Sequence, residues 1–151
     1  MEKIHYSVTI SAPREKVWKI MFADETYRQW TKPFNEGSYY IGNWEQGSEI
    51  RFVGSDDQGN AQAGGMYSTI AENRLYEFMS IKHLGIITNG VVDTTSDEVK
   101  KWAPAFENYT FTDVDGVTQL DVDMDIDQDY KESFDAMWPK ALAVLKKLAE
   151  K

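Results

Sequence analysis

The sequence holds 151 residues with a formal net charge of −9, from 25 acidic and 16 basic residues, and 42% of it is apolar. A length of this order suits one domain, 1–151, with a sizeable core. The acidic balance repels phosphate backbones and anionic headgroups, no apolar run approaches a bilayer span, and no cysteine is available for disulfides or thiolate chemistry, so nucleic-acid binding and membrane insertion are not expected and a cytoplasmic location is.

Ile4, Tyr6, Val8 and Ile10 alternate with Lys3, His5, Ser7 and Thr9, which predicts a strand with one buried face. Ser11-Ala12-Pro13 then marks a helix start; Val17, Ile20 and Met21 share a face of that helix, with Trp18 at its margin. Asp24 is placed to cap a second helix carrying Tyr27, Trp30 and Phe34, and Lys32-Pro33 ends it, because the residue before proline is steered away from helix. From Gly37 the punctuation changes to short strands: Tyr39 to Ile41, Glu49 to Val53, Gly65 to Glu72 and Leu75 to Lys82, with a polar turn at Asp56 to Asn60. Asn89-Gly90 between Ile86-Ile87 and Val91-Val92 is a hairpin signal. Thr95 and Glu98 have capping-box spacing for a short helix through Trp102. Phe106 to Asp113 and Leu120 to Ile126 are the last two strands, the second alternating apolar residues with Asp121, Asp123, Asp125 and Asp127. A long amphipathic helix over Asp129 to Lys151 closes the chain, with Phe134, Met137, Trp138, Ala141, Leu142, Leu145 and Leu148 on one face. Pro139 predicts a kink or break near Trp138, making the part with Phe134 and Met137 a lid and Ala141 to Leu148 an anchor.

One strand, two short helices, roughly six strands in meander order and a long helix make an α+β layered architecture. The order and several motifs resemble the Bet v 1-like, or START-like (SRPBCC), superfamily, and within it the family of Hsp90-ATPase-activator homologues. The residues that carry this are Ile10-Ser11-Ala12-Pro13-Arg14-Glu15-Lys16-Val17-Trp18, Trp30-Thr31-Lys32-Pro33-Phe34, Gly47-Ser48-Glu49-Ile50-Arg51-Phe52, Gly64-Gly65-Met66-Tyr67, Glu107-Asn108-Tyr109-Thr110-Phe111 and Trp138-Pro139-Lys140-Ala141-Leu142. The resemblance implies a helix-grip fold: a curved antiparallel sheet wrapped around the C-terminal helix, with an apolar cavity between them. It also implies a choice of roles among hydrophobic-ligand carriers, polyketide cyclases or dehydratases, and Hsp90 co-chaperone modules. Activators of the last kind draw much of their chaperone contact from a separate N-terminal domain, which this sequence lacks.

Aromatic residues make up 13% of the chain; the ordinary reading is that they fill the core, and the sharper one is that some line an open cavity, a task for which Tyr and Trp offer apolar area with one polar handle. Trp30, Phe34, Phe52, Tyr67, Phe78, Trp102, Tyr109, Met137 and Trp138 are the candidates to line a cavity holding a small hydrophobic molecule. Burying about 300 Å² of ligand at roughly 25 cal/mol/Å² gives on the order of 7 kcal/mol before association costs. His83, read as closing a strand, and Glu107, on the same parity as Tyr109 and Phe111, are the polar candidates at that cavity. The ordinary alternatives are a solvated strand-end histidine and a carboxylate reaching water or pairing with Arg51 or Arg74. Asp121, Asp123, Asp125 and Glu132 fall at EF-hand spacing, but Ile126 stands where that loop needs glycine, and an alternating strand cannot wrap an ion. No metal, cofactor or catalytic motif is expected.

Overall fold

The computed structural model describes residues 1–56, 58, 60 and 62–151. Strand β1 (Glu2–Ile10) is followed by helices α1 (Arg14–Phe22) and α2 (Asp24–Trp30). Strands β2 (Tyr39–Gly42), β3 (Glu49–Gly54), β4 (Gly64–Arg74), β5 (Phe78–Thr88) and β6 (Val91–Asp93) come next, then the one-turn helix α3 (Asp97–Lys100). Strands β7 (Ala105–Val114) and β8 (Val117–Ile126), a 3-10 turn over Gln128–Tyr130 and helix α4 (Lys131–Ala149) complete the chain.

The eight strands form one antiparallel sheet in the order β1-β8-β7-β5-β4-β3-β2, with β6 paired to β5. It is not a simple meander. The first strand returns to pair with the last, from Glu2↔Ile126 to Ile10↔Thr118, so the two termini of the strand succession are joined. Period-two alternation sets which face is inward: Ile4, Ile10, Leu120, Val122, Met124 and Ile126 are buried, and Asp121, Asp123 and Asp125 point out beside His5 and Lys3. Those outward carboxylates pair across strands, Lys3 with Asp125 at 2.8 Å and His5 with Asp123 at 2.7 Å. Among the described residues no group of three or more His, Asp or Glu side chains is arranged to hold a metal ion.

Several local expectations are corrected. β5 runs from Phe78 through Thr88, so His83 is mid-strand and buried rather than a solvated strand end. A bulge explains the difference: Ser68 pairs with His83 and Tyr67 with Gly85, leaving Leu84 as the extra residue that blurs the alternation. Asp24 does not cap α2; Ala23 holds the cap position, while Asp24 lies in the first turn and pairs with Arg28 at 3.1 Å. The short helix α3 is capped by Ser96, whose hydroxyl accepts from the Val99 amide, rather than by Thr95. In α1 it is Trp18 that is buried, while Ile20 is half-exposed. α4 passes through Pro139 without a break. The turn expected at Asp56 to Asn60 includes Asp57 and Gly59, which lie outside the described residues; Asp56 itself accepts from the Gln58 and Asn60 amides.

Helix α4 packs on β1, α1 and α2, and its burial is uneven. Trp138, Ala141, Leu142, Leu145 and Ala149 are buried, whereas from Lys131 to Met137 only Phe134 and Met137 are even half-buried. No helix among the described residues is long and apolar enough to cross a membrane.

Candidate functional site

The space between sheet and α4 is built from rings. Trp18, Phe22, Tyr27 and Trp30 come from α1 and α2, Tyr109 and Phe111 from β7, and Trp138 from α4, and all are buried. They meet in edge and tilted pairs: Trp18–Phe22 at 4.9 Å, Tyr27–Trp30 at 5.4 Å, Trp18–Phe111 at 5.1 Å and Phe34–Trp138 at 4.9 Å. Trp44, on the loop after β2, joins them through Phe22 at 4.5 Å and Phe52 at 5.5 Å. Some polar tips are satisfied within the fold: Trp30 Nε1 donates to the Met21 carbonyl at 2.9 Å, and the Tyr40 hydroxyl donates to the Phe22 carbonyl at 2.7 Å. Others are not. Trp138 Nε1 and Trp44 Nε1 are buried and find no acceptor among the described residues.

Inside this apolar lining lies a connected polar chain. Ser68 is fully buried opposite His83 on the β4–β5 ladder, and Ser68 Oγ is 2.7 Å from His83 Nδ1. His83 Nε2 is 3.0 Å from Glu107 Oε1 on the neighbouring strand, and the Tyr109 hydroxyl donates to Glu107 Oε2. A carboxylate only accepts, so the imidazole hydrogen sits on Nε2, and in the neutral ring Nδ1 accepts from Ser68. The His83 and Glu107 side chains are 9% and 15% exposed, and the Phe52 ring stands edge-on to His83 at 6.0 Å. Burial first, and then the nearby Glu107 charge, push the Tyr27 hydroxyl well above the ordinary tyrosine range.

The sequence-predicted residues therefore divide. Trp30, Phe34, Phe52, His83, Glu107, Tyr109 and Trp138 come together on the inner side. Tyr67 faces the other way: it pairs with Arg51 in the ladder, and its hydroxyl donates to Glu49 Oε1 at 2.6 Å. Phe78 lies under the Arg74 guanidinium at 4.9 Å and borders an outer polar groove of about 420 Å³ with Arg14 and Glu77. Trp102 sits in the turn after α3, and both it and Met137 are only half-buried and stand outside the buried cluster. Glu107 pairs with His83 and Tyr109, not with Arg51 or Arg74. Sequence reasoning missed Ser68 and Trp44. Ser68 shares parity with the buried Ile70, but only the strand register puts it on His83. A second groove of about 260 Å³ lies between β1 and α4, lined by Tyr6, Val8, Pro139, Leu142 and Lys146 among others.

The N-terminal half of α4 has its own tie. The Tyr6 hydroxyl donates to Asp135 at 2.6 Å, Lys131 Nζ bonds the other oxygen of that carboxylate at 3.0 Å, and the Tyr6 ring stacks on Trp138 at 5.9 Å.

The family model described as "Activator of Hsp90 ATPase homolog 1-like protein" matches residues 11–150. The chain belongs to that family. Solved structures agree on the fold. The Aha1 dimer from Colwellia psychrerythraea is 16% identical with a TM-score of 0.71, covering 99% of this chain and 97% of that one. Protein MLL2253 from Mesorhizobium loti is 14% identical with a TM-score of 0.69, covering 97% and 96%. DynU16, from the dynemicin biosynthetic locus, is 15% identical with a TM-score of 0.69; all of this chain aligns with 48% of that one. At these identities the likeness is of fold, and this member of the family has the helix-grip arrangement of its structural neighbours. No curated protein matches the sequence.

Proposed function

We propose that this family member binds a small hydrophobic molecule between the sheet and α4. The observation that carries the reading is the uneven seating of α4: its second half is buried, while Lys131 to Met137 rest above an aromatic interior with only Phe134 and Met137 half-buried. Lifting that segment exposes the Phe34–Trp138 pair and gives a ligand access to the rings beneath. Trp30, Phe34, Phe52, Tyr109 and Trp138 would supply apolar contact, with His83 and Glu107 as polar groups at the inner end. The fold neighbour from a biosynthetic locus is in keeping with a small-molecule role.

Native mass spectrometry of freshly purified protein, with tryptophan fluorescence across fatty acids and aromatic probes, tests this. A one-to-one adduct and a change in emission are expected for at least one probe. No adduct and unchanged emission throughout would overturn it.

A second reading, an enzyme of the cyclase or dehydratase kind, is favoured by one observation, the direct bond between His83 and Glu107 inside an apolar site. Two ionisable groups so placed could move a proton on a bound molecule. Incubation with a bound aromatic polyketone, read by a loss of one water mass that disappears in Glu107→Gln, distinguishes turnover from binding alone.

A further inference from the structure

Resting on the binding reading above, we infer that the interior selects a neutral aromatic molecule carrying a hydroxyl group, held between Glu107 and Trp138. Two groups with unused hydrogen-bonding capacity point to it. Glu107 accepts from His83 Nε2 and from the Tyr109 hydroxyl, but a carboxylate offers about four acceptor positions, and its side chain is 15% exposed rather than sealed. Trp138 is 3% exposed, and its Nε1–H has no acceptor among the described residues. A buried donor left without a partner is costly and rare, so it marks a place where a partner fits.

Tyr109 joins these two groups. Its ring is 6.3 Å from Trp138, and its hydroxyl bonds Glu107, so a spare acceptor and a spare donor border the same ring. A ligand hydroxyl lodged beside Tyr109 would donate to Glu107 and accept from Trp138 Nε1. A carboxylate, an ammonium and a hydrocarbon would not. A ligand carboxylate has only acceptors and would meet the Glu107 charge in a low-dielectric interior. An ammonium has only donors and leaves Trp138 unpaired, and a hydrocarbon leaves both groups unpaired. The aromatic part follows from what fills the interior: Trp30 and Phe34 each pack on Trp138, at 6.1 and 4.9 Å between ring centroids, and a flat ring is the shape that replaces such contacts when the segment above them lifts. The fold already contains one instance of the arrangement, the phenol of Tyr109 packed against Trp138 and Phe22 with its hydroxyl on Glu107.

Calorimetric titration of the full chain with 1-naphthol, naphthalene and 1-naphthoate at neutral pH separates these chemistries. The naphthol is expected to bind roughly tenfold more tightly than naphthalene, the difference made by one hydrogen bond to a charged group, with naphthoate weakest. Glu107→Gln and Trp138→Phe should each shrink the ratio of naphthol to naphthalene affinity, whatever they do to naphthalene binding itself. Equal affinity for naphthol and naphthalene in the unmodified protein would overturn the hydroxyl inference and leave the apolar-ligand reading standing. Tighter binding of naphthoate would overturn it as well. Failure of all three probes to bind would overturn the hydroxyl inference, and the fatty-acid and aromatic panel above would then decide the binding reading separately.

Discussion

Ser68 is fully buried, and its hydroxyl bonds the Nδ1 of an imidazole enclosed by apolar neighbours. Removing that oxygen strands a buried acceptor, which typically costs about 1–3 kcal/mol. Ser68→Ala should therefore lower the urea midpoint without changing the slope of the unfolding transition. An unchanged midpoint would mean that His83 finds another partner. The Tyr6–Asp135 bond is a different case because it lies at the surface. The Tyr6 hydrogen bond, helped by Lys131, holds the Asp135 carboxyl below its ordinary value of 3.8, so its contribution is present above that value and lost as pH falls through the lower folded-state pKa. Partial burial, and then the Asp135 bond, raise the Tyr6 hydroxyl above its ordinary 10.0, so that contribution is present below pH 10 and lost at higher pH. The tie is thus intact from roughly pH 4 to pH 10 and released at both extremes. Hydrogen exchange at neutral pH should show faster amides over residues 131–137 in Tyr6→Phe, and the variant and parent should converge at acid pH.

At the scale of elements, α4 combines two halves with different duties. Pro139 has no N–H for the Asp135 carbonyl, yet the helix continues, because Trp138 on one side and Ala141 and Leu142 on the other are buried and hold the chain in register. Packing outweighed the proline, which is why, of the kink or break expected from sequence, the break does not occur. Pro139→Ala restores the missing bond and should stabilise the protein by on the order of 1–3 kcal/mol. It should also slow ligand entry, if the weak point in the helix is what lets residues 131–137 lift. Stopped-flow mixing with a fluorescent arene would show this as a smaller association rate at unchanged equilibrium signal. β5 carries the other lesson. Its bulge at Leu84 lets a single strand contribute Met79, Ile81 and His83 inward on one side and pair with β6 on the other. Gly85 belongs to the same device: a Cβ there would come within 2.2 Å of the Asp93 carbonyl oxygen, so no larger residue fits without parting β5 from β6.

Over the whole molecule, the joining of β1 to β8 ties residue 2 to residue 126. Such long-range pairing forms only after much chain has been ordered. Deleting residues 1–10 would expose β8 as a free edge, remove the partners of Asp123 and Asp125, and uncover Trp138 beneath Tyr6. That truncation should abolish cooperative thermal unfolding rather than merely lower its midpoint. The architecture was legible because period-two strands and a three-and-four helix face are local patterns. Parity likewise placed Glu107 with Tyr109 inside. What stayed hidden depends on register between strands distant in sequence. Phe52 and Tyr67 look alike as strand aromatics, yet Phe52 opposes Met66 while Tyr67 opposes Arg51, on opposite faces. The Ser68–His83–Glu107 chain needs three strands aligned at once, and a one-residue bulge decides the alignment.

The unpartnered indole N–H of Trp138 also makes the protein its own reporter. Its proton is shielded from solvent and finds no acceptor among the described residues, so in a proton–nitrogen spectrum it should resonate upfield of the Trp30 indole, which has the Met21 carbonyl as partner. Any acceptor arriving beside Trp138 would draw that signal downfield and leave the Trp30 signal in place. If the proposed binding holds, a crude extract could thus be screened for a ligand by watching the Trp138 cross-peak, before that ligand has been purified.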